Sequence, residues 1–131
     1  MYLRFITEYI HEDGDKATGV FQCLGHLIRS KETFDYDMDR LKLIRSWFNE
    51  HLDRPTKFNK GLNKKRNNVA LSWFKSSAKE HIGKMYDLIP IFENYDLKIF
   101  IIKQERIGRI IFEDKYQAVA IPFNKEKSKV E

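Results

Sequence analysis

Six cations, Arg54, Lys57, Lys60, Lys64, Lys65 and Arg66, fall between Leu52 and Ala70, opposed only by Asp53. The stretch's net charge of +5 equals that of the whole 131-residue chain, so the rest of the chain in total holds as many Lys and Arg as Asp and Glu. Charges gathered in one place attract a polyanion far better than the same charges scattered over a surface. The chemistry they suggest is contact with phosphates of a nucleic acid or with another acidic partner. Lys75 and Lys79 follow closely and could extend the field. Phe58 and Trp73 are nearby aromatics that could stack on bases if exposed. Trp47 and Trp73 could close gaps against the sheet or form an exposed partner-binding patch, with Phe58, Trp47 and Trp73 the candidate interaction aromatics. A solvated loop whose charge confers solubility explains the same cluster, and no recognised nucleic-acid motif accompanies it.

Other reactive residues assemble less. Asp35, Asp37 and Asp39 open like a calcium loop, but Arg40 stands where glycine is needed and Ser46 where the bidentate glutamate is needed. Helix capping accounts for these aspartates better. Cys23 and His26 would share one helix face, yet a zinc site needs three or four ligands and the chain has a single cysteine. Core packing is the expected role of Cys23. His11, His51 and His81 show no ligand spacing, and no phosphate-cradling glycine loop or nucleophile elbow occurs. No catalytic residue, metal ligand or cofactor is therefore assigned, and an enzyme is unsupported.

These residues must be held by elements readable from period and punctuation. Met1 to Ile10 is rich in β-branched and aromatic residues and predicts a strand. His11 to Gly19 has turn chemistry around Asp13-Gly14. Val20, Leu24, Leu27 and Ile28 predict a helix ending near Ser30. A second helix opens on the Asp35 cluster, with Met38, Leu41, Ile44 and Phe48 as its buried stripe, widened by Leu43 and Trp47. It ends before Pro55. The basic connector follows.

Leu71, Phe74, Ala78, Ile82, Met85, Ile89 and Phe92 recur at steps of three and four, which predicts a third helix starting at Asn67 or Asn68. Pro90 should kink or stop it near Asp87. That start would set Lys64, Lys65 and Arg66 beside the positive end of a helix dipole, where an anion would relieve their repulsion. Leu97 to Gln104, Gly108 to Glu113 and Tyr116 to Phe123 predict a three-strand antiparallel meander turning at Asp114-Lys115. The order β-α-α-α-β-β-β makes an α+β domain with three helices on one face of a four-stranded, mainly antiparallel sheet. One domain over 1–123 and a disordered charged tail over 124–131 are expected. Without a secretory leader or an apolar run near the roughly 20 residues a bilayer requires, the expected place is the cytoplasm.

The strings SWFNEHLDRP (Ser46 to Pro55), SWFKSSAKEHI (Ser72 to Ile82) and FEDKYQAVAIPF (Phe112 to Phe123) resemble those of small uncharacterised bacterial proteins. The resemblance spans nearly the whole chain to Phe123. It implies a bacterial or phage origin and a single-domain extent, and it carries no catalytic residue with it.

The expectation is a non-enzymatic binding module using residues 54–66 for nucleic acid or another polyanion. The alternative is a protein-interaction or regulatory module using exposed aromatics or a sheet edge. An unrecognised enzyme is the third reading.

Overall fold

A computed structural model describes residues 1–55 and 70–123 of the chain. Nine elements follow in order: β1 (Tyr2–Ile10), β2 (Lys16–Gly19), α1 (Val20–Arg29), α2 (Asp35–His51), β3 (Leu71–Lys75), α3 (Lys79–Glu93), β4 (Ile99–Gln104), β5 (Arg109–Glu113) and β6 (Gln117–Ile121). The class is α+β, as expected. Among the described residues the sheet has six strands instead of four, in the order β2-β1-β3-β6-β5, with β4 also paired to β1. No helix among the described residues is long and apolar enough to cross a membrane.

Each departure from the expected order has a local cause. Leu71 to Lys75 was expected inside the third helix and is a strand held between β1 and β6. An interior strand is covered on both faces and loses the alternation that marks a half-exposed one. Trp73 and Phe74 are consecutive and both buried, so their spacing ran on into the true helical stripe. Lys16 to Gly19, expected as part of a turn, closes a hairpin on β1. The expected meander also fails, because β4 pairs with β1 and only β5 and β6 form the hairpin. The expected disordered tail, 124–131, lies outside the described residues.

The chain divides into two compact units that it enters more than once. One draws on Met1–Arg4, Arg54–Lys79 and Lys103–Glu131. In it β3 pairs antiparallel with β6 from Leu71↔Ala120 to Phe74↔Gln117, and β5 pairs with β6 from Arg109↔Ile121 to Glu113↔Ala118. The register shifts between Ile110 and Phe112, a β-bulge that leaves Ile111 as the extra residue. Ala118, Val119 and Ala120 are fully buried, and Trp73, Phe74 and Ile107 join them in the core.

Asp114 fixes the β5–β6 turn. Its Oδ1 accepts the backbone N–H groups of Tyr116 (2.8 Å) and Gln117 (3.0 Å), and its Oδ2 accepts the Gln117 side-chain amide (3.0 Å). Burial alone would raise this carboxyl. The hydrogen bonds from Gln117 and Tyr116, with the Lys75 charge, outweigh it and hold the group below its ordinary 3.8. A depressed carboxyl stabilises the fold above its unfolded value, and the contribution disappears as pH falls through the folded value. Asp114→Ala is expected to cost about 1–2 kcal/mol at neutral pH. The gap from the parent should narrow below about pH 4, read by urea unfolding at both pH values.

The other unit draws on Phe5–Asp53 and Glu80–Ile102. Along β1, Phe5, Thr7 and Tyr9 point inward at period two. The hairpin to β2 turns on Gly14, at φ 93°, while the Asp13 carboxylate accepts the Asp15 N–H at 3.0 Å. Cys23, Leu24 and Leu27 of α1 bury with Leu41, Ile44 and Phe48 of α2. Both helices begin and end close to the expected positions. Leu43 is 71% exposed and does not widen the α2 stripe inward.

In α3 the buried stripe is His81, Met85, Leu88, Ile91 and Phe92. Pro90 falls in the last turn, where it forfeits one backbone bond without stopping the helix, which continues to Glu93. The helix then closes in a Schellman arrangement. Asp96 takes the left-handed position at φ 60°, the Leu97 N–H reaches the Phe92 carbonyl (3.1 Å), and the Asp96 N–H reaches that of Glu93 (3.1 Å).

Candidate functional site

The described residues of the basic stretch are at its margins. Arg54 is exposed just beyond the end of α2, and Lys79 is exposed at the first position of α3. Lys75 is engaged elsewhere: its ammonium lies 2.6 Å from the Glu113 carboxylate, which offsets its charge. Lys57, Phe58, Lys60, Lys64, Lys65 and Arg66 lie outside the described residues. The helix expected to begin immediately after Arg66 begins at Lys79, with strand β3 intervening. The free backbone amides of that helix are therefore not adjacent in sequence to Lys64, Lys65 and Arg66, which corrects the expected helix start.

The two tryptophans part company. Trp73 is 5% exposed in β3, so its ring belongs to the core and is not offered to a partner. Trp47 is half-buried in the last turns of α2. The His51 ring lies nearly parallel to it, at 14° with centroids 4.3 Å apart. One helical turn separates the two residues, which is the spacing that brings side chains together on a helix surface.

The His51 Nδ1–H donates to the Trp47 carbonyl at 2.8 Å, and the His81 Nε2–H donates to the His51 carbonyl, also at 2.8 Å. The His51 carbonyl lies in the last turn, beyond the intrahelical donors, and His81 satisfies it. Phe48 and His81 meet the Trp47 ring edge-on at 5.2 and 4.8 Å, and the Lys84 ammonium sits 5.4 Å from its centroid. From sequence His51 and His81 are weighed only as metal ligands, and Lys84 not at all. The one available signal was the step of four between Trp47 and His51.

A second cluster joins the β1–β2 turn to α1. Arg29 grips the Glu12 carboxylate with Nε and one terminal nitrogen, at 3.0 and 3.1 Å. That hydrogen bonding holds Glu12 below the usual carboxylate range and raises Arg29. His26 Nδ1 stands 3.9 Å from the same carboxylate, with its ring 5.5 Å from that of Tyr9. Tyr9 is buried, which raises its hydroxyl, and the nearby Cys23 adds to the effect. Cys23 is fully buried and burial pushes its thiol up to about 12, so it is a protonated core residue at neutral pH and no nucleophile. Among the described residues no three His, Cys, Asp or Glu side chains are placed to hold a metal ion.

The aspartates at the start of α2 do not cap it. Phe34 occupies the N-cap position and makes no side-chain cap bond. Asp37 instead points inward, 3% exposed, and accepts the Tyr95 hydroxyl at 2.7 Å and the Asn94 amide at 3.3 Å. The Tyr95 oxygen in turn accepts the Phe34 N–H at 3.0 Å. Burial, and then the bond to Asp37, raise the Tyr95 hydroxyl above its ordinary value, so it serves as a donor. Tyr95→Phe removes the shorter of the two bonds to a buried carboxylate and the acceptor for Phe34. It is expected to cost about 1–3 kcal/mol in denaturant unfolding, whereas an unchanged midpoint would show that Asn94 alone satisfies Asp37. The network is structural and explains the buried charge without a ligand.

Comparison with known proteins gives no match to a protein-family model, to a curated protein or to a solved structure.

Proposed function

We propose that the protein is a small binding module that contacts nucleic acid, or a polyanion of similar charge density, through the basic stretch 54–66. The observation that carries this reading is that one stretch of the sequence holds a net charge equal to that of the whole chain, the remaining Lys and Arg equalling the remaining Asp and Glu in number. Arg54, the first cation of the stretch, and Lys79, at the start of α3, are both exposed. Counterion release from the bound polyanion is the driving term, since the reading assigns no base-specific motif. A mobility-shift experiment with DNA and with RNA tests it. Complexes should form at about 50 mM salt and largely dissociate at about 200 mM. Absence of any shifted species at the lower salt overturns the reading.

A protein-interaction module is favoured by a different observation. Phe34 and Tyr36 are 68% and 72% exposed at the start of α2, and the Arg40 guanidinium lies 5.5 Å from the Tyr36 ring. Exposed aromatics beside a guanidinium are typical of binding hot spots. A partner whose capture resists salt and is lost in Phe34→Ala/Tyr36→Ala would support that second reading.

A further inference from the structure

We propose that the stacked Trp47–His51 pair is a platform for one unpaired nucleobase, so that the polyanion bound by this protein is single-stranded nucleic acid. The inference rests on the polyanion reading above and names the form of its ligand. The two rings already make a parallel stack, at 4.3 Å and 14°. The outer ring, His51, is exposed, while the inner one is half-buried against Phe48 and His81. A base laid on the imidazole would extend an existing stack by one member.

The platform is set before any ligand arrives. The Nδ1–H bond to the Trp47 carbonyl fixes the imidazole plane, and the His81 bond to the His51 carbonyl ties that turn to α3. A ring held in place loses little rotamer freedom on binding, which is the main gain from preorganisation. Lys84, 5.4 Å from the indole centroid, sets a cation against the inner ring of the stack. The basic stretch begins three residues after His51 in the chain. Base–aromatic stacking tolerates any sequence because every base has a π-face, but an internal base of a duplex has both faces covered. The platform therefore selects single strands over duplexes without selecting sequence.

The test compares three probes at low salt: a labelled oligothymidylate, a duplex of equal length, and inorganic polyphosphate, which has charge and no bases. For the parent protein, the oligothymidylate should bind tighter than the duplex and quench tryptophan fluorescence, while polyphosphate should leave that fluorescence unchanged. His51→Ala should weaken the oligothymidylate about five- to a hundred-fold, the range for loss of one stacked base, with polyphosphate affinity held within about twofold. His51→Tyr, which keeps an aromatic face, should recover most of the loss. The Tyr variant and the parent's fluorescence response decide the matter even if the alanine variant does not fold. Binding of all three probes with no single-strand preference and no effect of His51→Ala overturns the platform and leaves the polyanion reading standing. Equal weakening of oligothymidylate and polyphosphate also overturns it. Failure of every probe to bind overturns the polyanion reading, and the platform with it.

Discussion

Changing Lys64, Lys65 and Arg66 together to alanine is expected to lower affinity for single-stranded oligonucleotide about 10²-fold at about 0.1 M salt. The figure follows from counterion release, which contributes about 0.7 to the logarithmic salt slope for each single-strand phosphate neutralised. At about 0.1 M salt each such contact is then worth about 0.7 of a decade, and three of them about two decades. The variant's salt slope should become shallower by about 2 in the same experiment. The helix α3 starts at Lys79, thirteen residues beyond Arg66. The contribution of the three cations is one of charge, so Lys64→Arg/Lys65→Arg should bind almost as the parent does. Anisotropy titration of a labelled oligonucleotide reads both effects. A triple variant that binds as tightly as the parent removes this stretch from the interface.

Gly108→Ala is expected to be the most damaging single substitution in the described chain, costing about 3–5 kcal/mol and lowering the melting temperature by about 10 °C or more. Gly108 sits at φ 121°, a conformation that L-residues rarely adopt. A Cβ there would collide with the Ile121 carbonyl oxygen and come within 2.7 Å of its carbon and 2.8 Å of the Pro122 Cα. Those are backbone atoms at the start of the β5–β6 pairing, next to Arg109↔Ile121, and they cannot swing aside as a side chain would.

Two other glycines serve as controls. Gly14 has φ 93° but open space around it, so alanine there should incur only conformational strain, about 1–2 kcal/mol. Gly83 lies within α3 with nothing near a built Cβ, so alanine should stabilise by up to about 1 kcal/mol. Circular-dichroism melts of the three variants check the ranking, and a Gly108→Ala midpoint within about 2 °C of the parent would contradict the close approach.

What the sequence revealed, and what it hid, follows from the range of the interactions concerned. Both α1 and α2 were legible because Leu24, Leu27, Leu41, Ile44 and Phe48 repeat at helical spacing within one element. The β5–β6 hairpin was legible because Asp114 carries its own turn chemistry. β3 was hidden because an interior strand loses its alternation, and Trp73-Phe74 happened to fall in step with the following helix. The pairing of β4 with β1 joins opposite ends of the chain and leaves no local trace.

The candidate site divides along the same line. Its charge is a property of composition and is visible without a fold. The Trp47–His51 stack depends on a rotamer held by a backbone carbonyl, and His81 depends on where α3 packs. A spacing of four hints at the first, and no sequence pattern indicates the second.

The central claim is that clustered charge makes this chain a polyanion-binding module. The dependence of oligonucleotide affinity on salt, measured on the unmodified protein, tests it most directly. With about five cations meeting single-strand phosphates, the logarithm of the binding constant should fall against the logarithm of salt concentration with a slope of about −3 to −4. A slope near zero, or no binding at about 50 mM salt, contradicts it.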